Sequence, residues 1–180
     1  MTGHGITVFA TALGGCGLAW RDDRVVGVQL PEADPESTRR RLSRRFPTAR
    51  PAEPPTAIGT AIAAIQALLR GERVDLSHVP VALDTLPEFD QAVYRRARAI
   101  PFGRVVTYGE VATDLGDPAL SREVGGALGR NPVPLLVPCH RVVAAGGRLG
   151  GFSAAGGTVT KRRLLEIERA RPDTGPDLFD

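Results

Sequence analysis

The chain is organised around the stretch Pro138-Cys139-His140-Arg141-Val142-Val143, which holds one of its two cysteines and one of its three histidines. An apolar run, Val133 to Val137, leads into this stretch, and three prolines restrict the backbone around it. Because proline fixes φ and lacks an amide donor, we expect a rigid extended segment that gives Cys139 a defined position. A fixed position suits a nucleophile that must meet one atom of a substrate.

The pairing of Cys139 with His140 is a weak sign of catalysis by itself, since a free cysteine is usually a small buried hydrophobe. Adjacent residues point to opposite faces of a strand and about 100° apart on a helix. His140 is therefore poorly placed to take a proton directly from Cys139, and a bound water or a turn has to bridge them.

Further residues extend the pattern on both sides of this stretch, and with it they resemble the O6-alkylguanine-DNA alkyltransferases (methylated-DNA–protein-cysteine methyltransferases). The resemblance covers roughly residues 85 to 170 in the family's order, whereas residues 1 to 84 match only in general character. The residues that carry it, besides Pro138 to Val142, are Thr107-Tyr108-Gly109, Arg122, Val124-Gly125-Gly126-Ala127, Asn131-Pro132, Gly151-Phe152-Ser153, Gly156-Gly157 and Lys161 to Glu168.

The composition is that of a globular protein, with 42% hydrophobic and 24% charged residues among 180. No run of 18 apolar residues and no signal peptide are present, which predicts a cytoplasmic protein without membrane contact. A net charge of +3 is compatible with nucleic-acid binding.

The first half alternates short apolar runs with turns. Residues 6 to 30 predict a β-hairpin or meander, and Asp34-Pro35 predicts the start of a helix that runs to about Phe46. We expect the arginines of this helix to form a solvated face. A DNA-contacting patch is the minor interpretation of the same residues. Residues 47 to 55 are expected to be irregular, and residues 57 to 70 to form a second helix. The arginines are Arg39, Arg40, Arg41, Arg44 and Arg45.

Cys16, His4 and His78 raise the question of a zinc site, which some members of the family carry in this half. Three scattered ligands without paired spacing are a weak indication, so we expect no metal.

The second half opens with Thr85 to Glu88, which has the form of a capping box, followed by a helix to about Ile100. After a break and a short extended piece at 105–107, two helices are predicted at Glu110 to Leu115 and Pro118 to Leu128. Their short turn at Gly116-Asp117 makes a helix-turn-helix pattern.

On the second of these helices, Arg122 lies opposite the apolar stripe and is surrounded by small residues. Glycines weaken a helix by about 1 kcal/mol each, so Gly125-Gly126 suggests that something large approaches the backbone. The resemblance implies a recognition helix in the DNA minor groove, whereas an ordinary solvated arginine is the alternative. Glu123 departs from the family's pattern, which has a small residue there.

The last predicted elements are a glycine-rich loop from Ala144 to Gly157, a helix from about Thr158 to Arg169, and a disordered tail at 171–180. Glu168 falls on the inner side of that helix, and a buried carboxylate needs a partner. Any nearby arginine could serve, but His140 would complete a relay from cysteine through water and histidine to glutamate.

We therefore predict an α/β protein of two domains, divided near residue 84. The resemblance implies a ribonuclease-H-like N-terminal domain at 1–84 and a mostly helical, winged-helix-like C-terminal domain at 85–170 that carries the chemistry.

The resemblance also implies the activity: transfer of an alkyl group from O6 of guanine in double-stranded DNA to Cys139, once per molecule and without a cofactor. O4 of thymine is left open as a second target, and the protein is expected to be a monomer that could bind DNA cooperatively. The implied catalytic residues are Cys139, His140, Glu168, Tyr108 and Asn131; the DNA-binding residues are Arg122, Tyr108, Gly109, Ser121, Gly125 and Gly126; and the base-binding residues are Val142, Ser153 and Phe152.

Two other function classes remain. A lesion-binding protein of the same fold would bind without transfer, but such relatives lack the cysteine. A cysteine hydrolase could use Cys139, His140 and Glu168, but it would need an oxyanion hole and would have no use for Arg122.

Overall fold

A computed structural model describes residues 3–171 as a mixed α/β fold; most of the predicted disordered tail lies outside these residues. The strands are β1 (His4–Thr11), β2 (Gly14–Arg21), β3 (Arg24–Gln29), β4 (Arg50–Pro51), β5 (Val106–Thr107) and β6 (Val142–Val143). The α-helices are α1 (Pro35–Arg45), α2 (Thr56–Leu69), α3 (Glu88–Arg98), α4 (Tyr108–Asp114), α5 (Ser121–Gly129) and α6 (Gly157–Ile167).

The N-terminal sheet has the strand order β3-β2-β1-β4. The antiparallel pairs β1–β2 and β2–β3 confirm the predicted meander. The irregular segment predicted at 47–55 is partly wrong, because Arg50–Pro51 pairs in parallel with Gly5 and Ile6 of β1. Proline cannot donate to a ladder, which restricts this strand to a short edge pairing that no periodicity could reveal.

Helix α1 begins as predicted, with the Asp34 carboxylate accepting the Ser37 amide proton over 2.7 Å. The capping box predicted before α3 is wrong: Pro87 is the N-cap residue and no side chain caps this helix. A capping box occurs instead at α4, where Thr107 and Glu110 bond to each other's backbone amides. Both sequences contain the same residue types three apart, so local chemistry alone could not distinguish them.

Helices α4 and α5 form the predicted helix-turn-helix. The first begins at Tyr108, two residues earlier than predicted, and the second is preceded by a short 3₁₀ turn, Pro118–Leu120. The Asp117 carboxylate caps that turn by accepting the Ala119 amide proton over 2.9 Å. Val124, Ala127 and Leu128 are buried as the stripe predicted.

The approach to Cys139 is not the extended segment that its prolines suggested. Leu135 has φ +75°, and the Val137 amide donates to the Val133 carbonyl over 2.9 Å, so the chain folds back on itself. A left-handed leucine is strained on its own and is held here by its burial at 1% exposure. The defined position predicted for Cys139 thus comes from packed turns.

One arginine of α1 was wrongly predicted to be solvated. Arg45 is half-buried and donates to the Val28 carbonyl over 2.8 Å and to the Pro132 carbonyl over 2.9 Å. Pro132 also accepts the Val28 amide proton over 3.0 Å. Helix α1 and β3 therefore hold the segment that leads to Cys139. The other four arginines of α1 are exposed.

The largest hydrophobic cluster contains residues from both halves of the chain, among them Leu18, Ile65, Val93 and Val142. The domain boundary near residue 84 stays a prediction. Within residues 3–171, no helix is both long enough and apolar enough to cross a lipid bilayer.

We predict that Arg45→Ala lowers the free energy of unfolding by about 1–3 kcal/mol, since it removes the charged donor from the partly buried bonds to the Val28 and Pro132 carbonyls. Arg44→Ala, at the exposed neighbouring position, should change it by less than about 0.5 kcal/mol. Urea unfolding of both variants measures the difference. Equal destabilisation would mean that Arg45 contributes only its helical propensity and not the contact to Pro132.

Candidate active site

Cys139 begins a single 3₁₀ turn, Cys139–Arg141, directly before β6. Strand β6 pairs in parallel with β5, which ends where Tyr108 opens α4. This pairing brings Cys139 and Tyr108 to one cavity of about 420 Å³. Its other lining residues are Gly125, Leu128, Gly129, Gly151, Phe152 and Ser153. The chain does turn at Cys139, as one of the two alternatives expected from the sequence, but within residues 3–171 no hydrogen bond joins the side chains of Cys139 and His140.

The carboxylate of Glu168 is the centre of a buried network, with 2% of the residue exposed. Its Oε1 lies 2.7 Å from His140 Nε2, and Arg141 donates to both carboxylate oxygens over 2.9–3.2 Å. Arg141 also donates to the Ile100 carbonyl over 2.7 Å. From the sequence, an arginine and His140 were alternative partners of Glu168, and in the structure both Arg141 and His140 bond to it.

These contacts set the protonation of the pair. Burial by itself raises the pKa of Glu168, but the bonds from His140 and Arg141 outweigh it and lower that pKa to about 2. An ionised carboxylate only accepts, so a neutral His140 must carry its proton on Nε2. Burial lowers the pKa of His140 despite its bond to Glu168, which keeps the ring neutral. Its Nδ1 is buried and has no hydrogen-bond partner within residues 3–171.

The pKa of Cys139 is shifted in the direction opposite to that of most reactive cysteines, whose pKa is lowered. Burial raises the pKa of its thiol above the ordinary value, and the Asn131 side chain and the charge of Lys161 only partly oppose this. The resting sulfur is therefore a thiol, and a base has to remove its proton before it can attack.

Asn131 braces the turns before Cys139. Its Nδ2 donates to the Val137 carbonyl over 2.9 Å, and its Oδ1 accepts the Val133 amide proton over 3.0 Å. Asn131, a catalytic residue according to the resemblance, thus makes contacts that hold these turns in place.

Lys161 is a residue whose contribution the sequence analysis missed. It is fully buried, and its Nζ donates to the Val142 carbonyl over 2.7 Å and lies 3.5 Å from the Tyr108 hydroxyl. Burial lowers the pKa of Lys161 to about 8, and the Cys139 sulfur opposes this shift. Only the resemblance to the family pointed to Lys161, because the side chain of a lysine on an amphipathic helix normally faces the solvent.

Tyr108 faces the same cavity with a phenol that remains protonated. Burial and the nearby sulfur of Cys139 raise the pKa of the phenol, so it can donate a hydrogen bond at neutral pH. Gly150 packs against it with φ +72°, and a Cβ there would lie 2.7 Å from the Tyr108 oxygen. The glycine therefore allows the loop to approach the phenol.

The residues predicted to read the base have different environments. Ser153 lines the cavity and donates to the Gly129 carbonyl over 2.7 Å, and Phe152 packs against the core. Val142 is fully buried, and its carbonyl already accepts from Lys161.

The predicted DNA-binding residues lie on α4 and α5. Arg122 and Gly126 are exposed, whereas Gly109, Ser121 and Gly125 are half-buried. Glu123 is exposed in the first turn of α5, where a carboxylate favours the positive end of the helix.

The three candidate zinc ligands do not form a cluster: within residues 3–171, no group of three metal-ligating side chains could hold a metal ion. Cys16 is fully buried in β2, and its sulfur lies 3.6 Å from the Thr11 hydroxyl.

The sequence that forms this site is similar to that of known methylated-DNA–protein-cysteine methyltransferases. Residues 88–170 match the family described as 6-O-methylguanine DNA methyltransferase, DNA binding domain. A methylated-DNA–protein-cysteine methyltransferase of Mycobacterium tuberculosis is 40% identical over 127 residues, which cover 70% of this chain and 74% of the relative.

Two solved structures resemble the whole fold. The M. tuberculosis OGT structure in complex with DNA has a TM-score of 0.73 and 30% identity, and the match covers 93% of this chain and 96% of that chain. The O6-methylguanine-DNA methyltransferase of Pyrococcus kodakaraensis has a TM-score of 0.70 and 25% identity, with coverage of 92% and 98%. The predicted α/β fold with a helical C-terminal half is thereby confirmed.

We predict that Glu168→Gln lowers the free energy of unfolding by about 3–5 kcal/mol at pH 7, since it leaves the buried Arg141 uncompensated. The pKa of Glu168 is lowered from 4.5 to about 2, so its stabilising effect is complete above pH 4.5 and is lost as the pH falls toward 2. The difference between the two proteins should therefore shrink in acid, which denaturant titrations at pH 7 and pH 3 measure.

The matched control is Glu166→Gln, at an exposed position of the same helix. It should leave stability nearly unchanged at both pH values. A Glu168→Gln difference that stays constant from pH 7 to pH 3 would contradict the ionised buried carboxylate.

Proposed function

Because the chain belongs to the methylated-DNA–protein-cysteine methyltransferase family, which repairs DNA by transferring an alkyl group to a protein cysteine, we propose that Cys139 is the accepting residue. The observation that carries this assignment is the protonation pattern around it. Glu168 fixes the proton of His140 on Nε2 and leaves the buried Nδ1 as a free base, one residue from a thiol that faces a cavity.

The reaction we propose is a single displacement. His140 takes the thiol proton through a water that bonds to Nδ1, and the sulfur attacks the alkyl carbon attached to O6 of guanine. The sulfur–carbon bond forms as the carbon–O6 bond breaks, and the electron pair of that bond stays on the guanine. Glu168 holds the imidazole in place and balances the charge of the imidazolium that results, and Arg141 acts by fixing the carboxylate of Glu168.

The leaving guanine needs a proton donor. The Tyr108 hydroxyl, kept protonated by burial, donates to the ring nitrogen as negative charge develops there. Lys161 lies 3.5 Å from that hydroxyl and supplies positive charge beside both Tyr108 and Cys139. Lys161 therefore supports the departing base as well as the thiolate.

DNA is the partner of this protein, and the helix-turn-helix carries the surface proposed for it. A guanine inside a duplex is out of reach of a cysteine that is 8% exposed, so the base must be flipped into the cavity. Arg122 would fill the space that the base leaves, with Tyr108, Gly109, Ser121, Gly125 and Gly126 against the backbone. Phe152, Ser153 and the backbone at Val142 would contact the flipped base.

The product is a thioether, which is stable in water, so each molecule acts once. We propose that it acts as a monomer. Guanine is the proposed target, with O4 of thymine as a second one. A hydrolase would require an oxyanion hole and release of the product from Cys139, whereas a lesion-binding protein would have no need for the relay.

We predict that Cys139→Ser abolishes transfer and preserves DNA binding, because a hydroxyl is far too basic to ionise at neutral pH. Intact-mass and peptide mass spectrometry after incubation with O6-methylguanine DNA measures the transfer, and the wild type should gain one methyl group on Cys139. Methylation of Cys16 would refute the assignment, and a transient adduct that hydrolyses would favour the hydrolase.

A second variant separates base flipping from chemistry. Arg122→Ala should slow repair in duplex DNA by about 10-fold or more and leave reaction with free O6-methylguanine unchanged, since only a duplex has a gap to fill. Arg44→Ala, which removes the same charge from α1, is the control for general electrostatic attraction. Equal losses on both substrates would show that Arg122 has a structural role.

A further inference from the structure

A second cavity, of about 600 Å³, lies beside Arg141 and shares no lining residue with the cavity at Cys139. It forms between the segment that follows α2 and the last turn of α3. We call it the arginine cavity, because Arg73, Arg95, Arg98 and Arg141 line it together with Asp75 and Phe102. The transfer reaction uses none of these residues except Arg141.

The charge of the arginine cavity is unbalanced: Arg141 is paired with Glu168, but three further guanidinium groups face the single carboxylate of Asp75. Within residues 3–171, neither Arg73 nor Arg95 forms an ion pair. The guanidinium of Arg73 lies 5.6 Å from the centroid of the Phe102 ring, and Arg95 makes only a 3.4 Å contact with the Gln91 side chain. Two cations are therefore available to a ligand in this cavity.

Arg98 supplies a fixed donor. Its Nη2 donates to the carbonyls of Leu76, Ser77 and Val79 over 2.8–3.1 Å, which holds the guanidinium in one orientation. Its Nε is buried and has no acceptor within the described part of the chain. A buried donor without an acceptor is costly, and Arg98 is itself one of the residues that line the cavity.

We propose that the arginine cavity binds a phosphate group. Arginine presents a planar fork of donors that matches the oxygens of phosphate, and the fixed Arg98 with the available Arg73 and Arg95 provides several such donors. The volume suits a group larger than a lone ion, and Phe102 offers an apolar wall for what the phosphate carries. A free phosphate ester and a DNA backbone phosphate share this chemistry.

The test is thermal unfolding in inorganic phosphate against chloride at matched ionic strength. Phosphate should raise the midpoint of wild-type unfolding saturably, by about 2–4 °C. The double variant Arg73→Ser/Arg95→Ser should lose this rise and still react with free O6-methylguanine at the wild-type rate. Arg40→Ser/Arg44→Ser removes the same charge from exposed positions of α1 and should keep the full rise.

The source of the phosphate is decided by two further titrations. If a small ester is the ligand, a nucleoside monophosphate displaces phosphate, and both double variants bind undamaged duplex DNA equally. If a DNA backbone is the ligand, duplex binding weakens about 10-fold more in Arg73→Ser/Arg95→Ser, and phosphate competes with it. An equal rise in the unfolding midpoint for both double variants, or a wild-type rise that does not saturate with phosphate, would overturn the proposal. The single variant Arg95→Ser allows the same comparison of midpoints with a smaller change to the protein.

Discussion

The buried carboxylate of Glu168 is the constraint on which the catalytic end of this molecule depends. A charge at 2% exposure is tolerated only when it is paired, and here Arg141 and His140 together satisfy it. The same contacts join the end of α6, the turn at Cys139 and, through Arg141, the Ile100 carbonyl after α3. One ion pair thus sets both the geometry of three segments and the tautomer of the histidine that we propose as the base.

The N-terminal half contributes by holding the other side of the catalytic turn. Arg45 and the Val28 amide both bond to the Pro132 carbonyl, and the adjacent Asn131 braces the turns that end at Cys139. This arrangement gives a physical reason why the structural likeness to the M. tuberculosis protein spans nearly the whole chain, although the matched family region begins at residue 88. In this chain, the first half contributes contacts that support the catalytic turn.

Hydrophobic periodicity together with turn and capping residues predicted most of the secondary structure, because the meander, α1, α2 and the helix-turn-helix are each encoded by local sequence. Arg45 escaped prediction because the carbonyls that hold it lie 17 and 87 residues away in sequence. The left-handed Leu135 is imposed by packing, whereas its proline-rich sequence favours an extended chain. For the site, the family pattern located Cys139, His140 and Glu168, but the joint ligation of Glu168 and the buried position of Lys161 depend on tertiary contacts.

The most direct test of this account is the pH dependence of transfer from free O6-methylguanine, measured in single-turnover reactions for the wild type and His140→Gln. A neutral His140 acting as base predicts a wild-type rate that does not rise between about pH 7 and pH 9 and that falls above about pH 8, where Lys161 loses its proton. Without the imidazole, the rate should rise about tenfold per pH unit, because only ionisation of a thiol with a raised pKa then supplies the thiolate. The same steep rise in the wild type would show that His140 does not take the proton of Cys139.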